Sequence, residues 1–319
     1  MRLLVTGGCG FIGSHFINWV HEHHPDVIVC NIDRIDYCSL ESNVVDQSDD
    51  WYQLQKVDLT NFEKVKQVVE SFEPDAVVHF AAQSHVDNSF GNSLSFTMDN
   101  VYGTHCLIEA CRLLRKPLTK FVHISTDEVY GEVADSDEGC HEKSLLNPTN
   151  PYASSKAAAE FIVRSYIHSF KMPVVITRGN NVFGPNQYPE KVIPKFLSQL
   201  LQHKPVTIQG DGSARRNFIY VDNVSSAVWA ILKHGKVNEI YNIGSTDEYS
   251  VREIAEMLAK KTGIKLELEF IEDRCFNDHR YSINCDKLLQ LGWTPSVTFE
   301  QGIEATVQAW KRKIPDSSL

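Results

Sequence analysis

The sequence predicts an α/β fold: a doubly wound parallel sheet followed by a smaller C-terminal α/β region that binds substrate. Three observations carry that prediction. Six short apolar runs rich in β-branched residues recur before Arg178: "RLLVT", "VIVCNID", "WYQLQKV", "DAVVHFA", "KFVHIS" and "PVVITR". The segments between them have helical spacing, as in "NFEKVKQVVESF", where Phe62, Val65, Val68, Val69 and Phe72 share one face. The first run ends in a glycine-rich turn, "TGGCGFIG", that opens onto a further helical pattern. Nearly continuous apolar strands alternating with helices belong to a parallel sheet covered on both faces.

A chain of 319 residues exceeds the usual span of one core. Residues 1–178 are expected to form the nucleotide-binding part, with a later segment near 215–235 returning to it. Residues 179–319 are expected to bind substrate. Past Arg178, "GNNVFGPNQYPEKVIP" reads as a long loop and "QGDGSARRNFIYVDN" as a turn followed by a strand. "SVREIAEMLAKKTG" reads as a helix, with Ser250 as its N-cap, Glu253 three residues on, and Gly263 after its last turn. A final helix is expected at about 299–312.

Composition excludes several classes. An apolar fraction of 42% with 23% charged residues is that of a soluble globular protein. A formal charge of −10 offers no basic field to a phosphate backbone, so nucleic acid is not an expected partner. No run approaches the ~20 apolar residues of a membrane span. "MRLLVTGG" reads as a strand from its second residue, with no room for a signal peptide. Eight scattered cysteines without a C-x-x-C pair suggest reduced thiols and a cytoplasmic location. His21-Glu22-His23-His24, just before Pro25, reads as a solvated helix end, and no metal is expected.

In the glycine-rich turn, Gly7, Gly10 and Gly13 have the spacing G-x-x-G-x-x-G of a Rossmann-type dinucleotide site. Gly7 allows the tight turn, Gly10 lets a pyrophosphate approach the backbone, and Gly13 lets helix and strand pack closely. Asp33 ends the second strand, where a carboxylate holds the adenosine ribose hydroxyls and repels a 2′-phosphate, which favours NAD over NADP. Asp58-Leu59 after the third strand would flank the adenine. Phe80-Ala81-Ala82 ends the fourth strand in small residues, as a dinucleotide crossing close to backbone requires.

"NPYASSKAAAE" places Tyr152 and Lys156 four apart in a helix opened by Pro151, so both point the same way. A lysine one turn from a tyrosine favours phenolate, the form that abstracts a proton from a sugar hydroxyl. "STDEVYG" adds two consecutive acids, Asp127 and Glu128, just past a buried strand. Adjacent side chains of a continuing strand face opposite ways, so a shared role requires the chain to leave strand geometry at about Asp127.

At these motifs the chain resembles the extended short-chain dehydrogenase/reductase superfamily. Within it, "HFAAQSHVDNS", "STDEVYG", "NPYASSKAAAE" and "NNVFGPNQYPEKVIP" are similar to nucleoside-diphosphate-glucose 4,6-dehydratases, and the similarity runs from about Leu3 to Trp293. The resemblance implies C4 oxidation with Tyr152 as base and Lys156 beside it. Elimination of water across C5 and C6 follows, with Glu128 as base and Asp127 as acid, and the hydride then returns to C6. Thr126 would hydrogen-bond the sugar near C4. A raised Asp127 pKa is required, and burial and the Glu128 charge both push that way. NAD contacts are implied at Gly7, Gly10, Phe11, Ile12, Gly13, Asp33, Asp58, Leu59, Phe80, Ala81, Ala82, Ser84, Asn100, Ser125, Tyr152, Lys156 and Asn181. A 4-epimerase or C4 oxidoreductase would share the loop and the Tyr/Lys pair but has no need of an acid and base for elimination. Asp127-Glu128 is therefore the discriminator.

Carried over position by position, Ser84, Thr126 and Asn180 would contact the hexose and its diphosphate. Lys191, Arg216, Asn242, Arg274 and Asp278 would hold the nucleotide, with Arg215 an alternative to Arg216. In "EDRCFNDHRY" the chain departs from the D-R-P-G-H-D-R-R-Y typical of bacterial dTDP-glucose enzymes: Cys275, Phe276, Asn277 and His279 differ. The "FND" variant is closer to the UDP-glucose 4,6-dehydratases of plant rhamnose synthases. Uracil and thymine differ by one methyl, worth only ~1–3 kcal/mol in a pocket, so both nucleotides stay open. The resemblance also implies a homodimer built on helices that include the one bearing Tyr152.

Overall fold

The structure, a computed structural model, describes residues 1–134, 138–272, 276 and 278–313. In chain order the strands are β1 (Arg2–Thr6), β2 (Ile28–Ile32), β3 (Tyr52–Gln55), β4 (Ala76–His79), β5 (Lys120–Thr126) and β6 (Val174–Gly179), followed by β7 (Asn181–Phe183), β8 (Val206–Gln209), β9 (Arg215–Tyr220), β10 (Ile240–Ile243), β11 (Glu248–Ser250) and β12 (Leu268–Ile271). Seven form one sheet in the order β10-β6-β5-β4-β1-β2-β3, with every pairing parallel. The six predicted strands are β1 to β6. The seventh, β10, comes from a four-residue run too short for periodicity to mark, and it pairs with β6. Strand order reverses between β1 and β4, so a crevice opens there at the carboxyl ends.

Alternate residues of the strands feed two cores. Leu3, Val5, Val29, Val78 and Val122 pack with Phe16, Ile17 and Val20 of the Phe11–His23 helix and with Ala227, Val228 and Ile231 of the Val221–His234 helix. Leu4, Ile32, Val77 and Phe121 face the other way, onto Val65, Val69, Leu107, Ile108 and Val163. The later chain builds two small sheets, β11-β9-β7 and β12-β8. They share a third core with the helices Val192–Leu201, Val251–Thr262 and Phe299–Lys313. Ser250 and Glu253 form the predicted capping box, and Gly263 ends that helix at φ +76°. The segment expected as one long loop carries the short strand β7, which pairs with β9.

The histidines at the end of the first helix stack on tryptophans: His21 on Trp51 at 3.8 Å, His23 on Trp19 at 4.3 Å, and His24 on Trp229 at 4.2 Å. Among the described residues no group of three His, Cys, Asp or Glu could hold a metal ion. No described helix is long and apolar enough to cross a membrane.

One buried ion pair ties the Pro151–Phe170 helix to the sheet. Glu160, on the Pro151–Phe170 helix, and Arg178, on β6, are 0% and 1% exposed and meet at 2.6 Å. Arg178 also lies over the Tyr130 ring at 4.7 Å, and Tyr130 is the last residue of the turn that begins at Asp127. Removing one partner of such a pair strands a buried charge and costs about 3–5 kcal/mol, whereas replacing both by apolar residues is often neutral. Urea unfolding of Glu160→Gln should show that loss, and a Glu160→Met/Arg178→Met double variant should recover most of it. A single variant as stable as the parent would contradict this account of the pair.

Candidate active site

A cavity of about 500 Å³ runs along the carboxyl edge of the large sheet, from the glycine turn to the C-terminal sheets. At one end Gly7 has φ +70°, and a Cβ there would sit 2.7 Å from Ala81 Cα. A Cβ on Gly13 would sit 2.3 Å from the Gly7 carbonyl oxygen, so side chains are excluded at both positions. Gly10 is the N-cap of the Phe11–His23 helix and offers no side-chain acceptor, which leaves first-turn amides for a diphosphate. Asp33 is 5% exposed, with its carboxylate fixed by the amides of Cys9 at 2.9 Å and Ile35 at 2.8 Å. Burial raises its pKa against those hydrogen bonds. Its neighbour Arg34, which sequence reasoning missed, is bonded by Asp36, Asp58 and Asp99. Those three acids leave the ribose end negative, a further obstacle to a 2′-phosphate. Phe11, Ile12, Asp58, Leu59, Phe80, Ala81, Ala82, Ser84 and Asn181 all line the cavity. A backbone cradle, small residues and a braced ribose acid fit NAD.

The reaction end sits where β5 stops. Thr126 accepts a hydrogen bond from the Glu128 amide at 3.3 Å, caps a 3-10 turn over Asp127–Tyr130, and so takes the chain out of strand geometry at Asp127. Glu128 lines the cavity and accepts from Asn150 Nδ2 at 3.1 Å. Asn150 is also the N-cap of the Tyr152 helix, its Oδ1 accepting from the Ala153 amide at 2.8 Å. Asp127, 3% exposed, stands directly behind Thr126 and Asn180, which do line the cavity. Its Oδ2 accepts from Asn180 Nδ2 at 2.7 Å and its Oδ1 from Thr126 Oγ1 at 3.2 Å. Burial first, and the Glu128 charge second, raise its pKa from an ordinary 3.8 to about 7.

Tyr152 and Lys156 line the same cavity. Burial, then the charges of Glu128 and Asp127, push the Tyr152 phenol up, contrary to the expectation that Lys156 would favour phenolate here. Lys156 Nζ donates to the Ile124 carbonyl at 2.7 Å, and burial lowers it to about 8 against the opposing charge of Glu160. Ser125 lines the cavity with its buried Oγ lacking a partner among the described residues, as a ligand-facing hydroxyl would.

At the substrate end, Lys191 donates to the Ser84 carbonyl at 2.6 Å and spans the cavity wall. Arg216 lines the cavity, stacks on Tyr281 at 4.5 Å and donates to the Asp278 carbonyl at 2.7 Å. Arg215 instead faces Glu248 and Glu253, each at 3.4 Å. Asp278 lines the cavity, and its Oδ2 accepts from Thr149 at 2.6 Å and from the Tyr281 hydroxyl. Two expected contacts lie elsewhere. Asn242 is wholly buried on β10, where its amide bonds the carbonyls of Cys140 and Asn284 and the Tyr130 hydroxyl, and Tyr249 and Val251 take the wall beyond it. Asn100, 1% exposed, braces Gln83 and Ser155 and stands behind the cavity rather than on it. Arg274 is outside the described residues. Sequence reasoning also missed Lys195, Phe218 and Tyr281, whose places on the wall depend on how the small sheets fold back.

A cradle that fits a dinucleotide at one end of the cavity, with Tyr152, Lys156 and Glu128 at the other and Asp127 behind the wall, marks a nucleotide-binding α/β protein. The chain belongs to the GDP-mannose 4,6-dehydratase family, whose model matches residues 4–306. It is 43% identical over 319 residues to a trifunctional UDP-glucose 4,6-dehydratase/3,5-epimerase/reductase of Arabidopsis thaliana, covering 99% of this chain but 48% of that protein. The chain thus spans about half the length of such plant relatives. It is 46% identical over 320 residues to the dTDP-D-glucose 4,6-dehydratase of Mus musculus, covering 98% of this chain and 89% of that one. Among solved structures it resembles DesIV, a dTDP-glucose 4,6-dehydratase of Streptomyces venezuelae with NAD bound, at TM-score 0.92 and 36% identity over 98% and 97% of the two chains.

The Asp127 carboxyl has a thermodynamic consequence. Because the folded state holds this proton to about pH 7 and the unfolded chain only to about 3.8, folding binds a proton between those limits, and stability falls as pH rises through them. Asp127→Asn lacks that titration. The variant should be more stable than the parent by roughly 2–4 kcal/mol above pH 7, with the gap closing toward pH 4. Urea midpoints across that range measure it, and a gap independent of pH would refute the burial account.

Proposed function

We propose that this chain is a NAD-dependent nucleoside-diphosphate-glucose 4,6-dehydratase, a hydro-lyase that forms the 4-keto-6-deoxy sugar nucleotide. The observation that carries this reading is an Asp127 acid raised to about 7, bonded to the wall residues Thr126 and Asn180 and next in the chain to Glu128, which lines the same cavity as Tyr152 and Lys156. An epimerase or simple oxidoreductase has no use for a neutral acid next to a carboxylate.

Bound NAD supplies the acceptor for the C4 hydride and the donor that returns it to C6. The residues for it are the glycine turn, Asp33, Asp58-Leu59, Phe80 to Ala82, Ser125 and Asn181. Tyr152 takes the C4 hydroxyl proton, with Lys156 supplying positive charge beneath it. The 4-ketone acidifies C5–H, Glu128 removes that proton, and Asp127 protonates the departing C6 hydroxyl. Thr126 holds the sugar near C4, while Asn180, Lys191 and Arg216 hold the hexose and its diphosphate. In domain terms, residues 1–178 with the returning Val221–His234 helix and β10 hold the dinucleotide, and most of 179–319 holds the sugar nucleotide.

Resemblance to both dTDP- and UDP-glucose enzymes supports either nucleotide as substrate, as a step toward deoxysugars such as rhamnose. Exposed Leu94, Met98 and Tyr102 at four-residue spacing, with Phe161 on the Tyr152 helix, support a homodimer through those helices. The acidic composition and scattered cysteines support a cytoplasmic enzyme.

Incubating the protein with NAD and dTDP- or UDP-glucose in deuterated water should give a 4-keto-6-deoxy product carrying deuterium at C5. An unlabelled hexose returned intact, or a C4 epimer, rejects the reading. Since Asp127 must be protonated to act, kcat should fall as pH rises through about 7, the value to which the enclosed carboxyl is raised. A flat profile from pH 6 to roughly 9 would remove Asp127 from the acid role.

A further inference from the structure

Among the groups assigned to the proposed dehydration, on which this inference rests, Tyr152 and Asp127 act on sugar hydroxyls. A hydroxyl hydrogen-bonds its partner before any bond breaks, and so helps to aim it. Glu128 acts on C5–H, and a carbon acid gives its base no such bond. The Glu128 side chain is also long, and half-buried rather than enclosed. What aims it must come from the protein.

One side chain supplies that aim. Asn150 Nδ2 donates to Glu128 Oε2 at 3.1 Å, while Asn150 Oδ1 accepts from the Ala153 amide at 2.8 Å. A flipped amide would set its oxygen against the carboxylate and its nitrogen against an N–H, losing both bonds, so Glu128 always meets a donor. The amide also sits at the positive end of a 20-residue helix, which strengthens it as a donor toward an anion. Asn150 is itself held, being only 5% exposed. Earlier in the same segment, the Asn147 amide donates to the carbonyl of Val129, the residue after Glu128, at 3.0 Å. Thr149 Oγ1 donates to Asp278 Oδ2 at 2.6 Å. Residues 147–150 are thus bound to the Asp127–Tyr130 turn on one side and to the C-terminal region on the other, and the amide cannot leave Glu128 unless those bonds break.

We propose that Asn150 is the positioning residue of the C5 step: it holds Oε2 of Glu128 so that Oε1 is presented to C5–H. The C5–H bond breaks, its proton forms an O–H bond on Oε1, and its electron pair passes into the enolate of the 4-ketone. That pair then forms the C5–C6 double bond as the C6 hydroxyl leaves with the proton of Asp127. When the hydride returns to C6, Oε1 gives its proton back to C5. Asn150 itself gains and loses nothing. Oxidation at C4 uses Tyr152 and needs no bond from Asn150 to Glu128, so the role belongs to one step of the sequence.

Serine and aspartate both cap helix N-termini, so Asn150→Ser and Asn150→Asp keep an acceptor for the Ala153 amide. The first removes the donor to Glu128, and the second sets a carboxylate against it. Each variant, loaded with NAD, is rapidly mixed with the sugar nucleotide that the parent dehydrates. Absorbance of the reduced cofactor follows C4 oxidation, and quenched samples give the 4-keto-6-deoxy product. Both variants should oxidise C4 at close to the parent's rate and form product roughly 100-fold more slowly, the loss expected when a reacting group is misplaced. Reduced cofactor should therefore accumulate in the variants. Either variant alone decides the matter. If oxidation and product formation slow by the same factor, or product forms at the parent's rate, the positioning role is overturned and Asn150 serves only as a helix cap. Failure of the parent to form a 4-keto-6-deoxy product would overturn the dehydratase reading instead, and is seen before any variant is mixed.

Discussion

The site depends on one hydrogen bond, from the Glu128 amide to the Thr126 hydroxyl. Were β5 to continue, Asp127 and Glu128 would point to opposite faces of the sheet, one of them into an apolar core. Capping by Thr126 starts a 3-10 turn instead, which puts Glu128 on the cavity wall and Asp127 directly behind it, bonded to Thr126 and Asn180. The turn is closed by Gly131 at φ +80°, where a Cβ would meet the Asn147 carbonyl oxygen at 2.2 Å. From below it is held by Tyr130, whose hydroxyl bonds Asn242 and whose ring lies under Arg178. Asn242, wholly buried, thereby braces the turn from behind.

Burial alone does not decide how a carboxyl behaves here. Asp33 and Asp127 are both enclosed. Burial raises the Asp33 pKa, and two backbone amides oppose that cost of desolvation. Asp127 has a side-chain amide and a hydroxyl for partners and a second carboxylate next to it in the chain, so its proton is retained to about pH 7. Burial first, and then the charges of Glu128 and Asp127, raise the Tyr152 phenol. Burial and those charges thus act against the phenolate that the proposed proton abstraction needs.

Much of the architecture was legible because its signals are local. Six apolar runs marked six of the seven sheet strands, and the glycine spacing marked the turn whose lack of side chains the packing of Gly7 and Gly13 requires. Asp33, Asp127, Glu128, Tyr152 and Lys156 could be found because each belongs to a short motif. What escaped depends on distant pairing. β10 is four residues long and is recognisable only by its place beside β6. Arg215 and Arg216 are adjacent in sequence, and only the pairing of β9 with β11 decides which faces the cavity. Asn100 and Asn242 were placed one layer too far forward, because sequence position shows that a polar residue is buried near a site without showing what it bonds.

The scaffold also explains how small the chemical difference between related reactions can be. Cradle, ribose acid, Tyr152 and Lys156 would serve oxidation of any sugar hydroxyl presented to them. Elimination would add only a base and an acid, and the two carboxyls proposed for them, Glu128 on the cavity wall and Asp127 behind it, are consecutive residues of one capped turn. Asn150 joins the two sets: its carbonyl oxygen caps the Tyr152 helix and its amide nitrogen holds Glu128. The Tyr152 helix and Glu128 are thereby fixed to each other through a single side chain. A shift of either element moves both groups together, which would keep the two proposed bases in register on neighbouring carbons of one sugar.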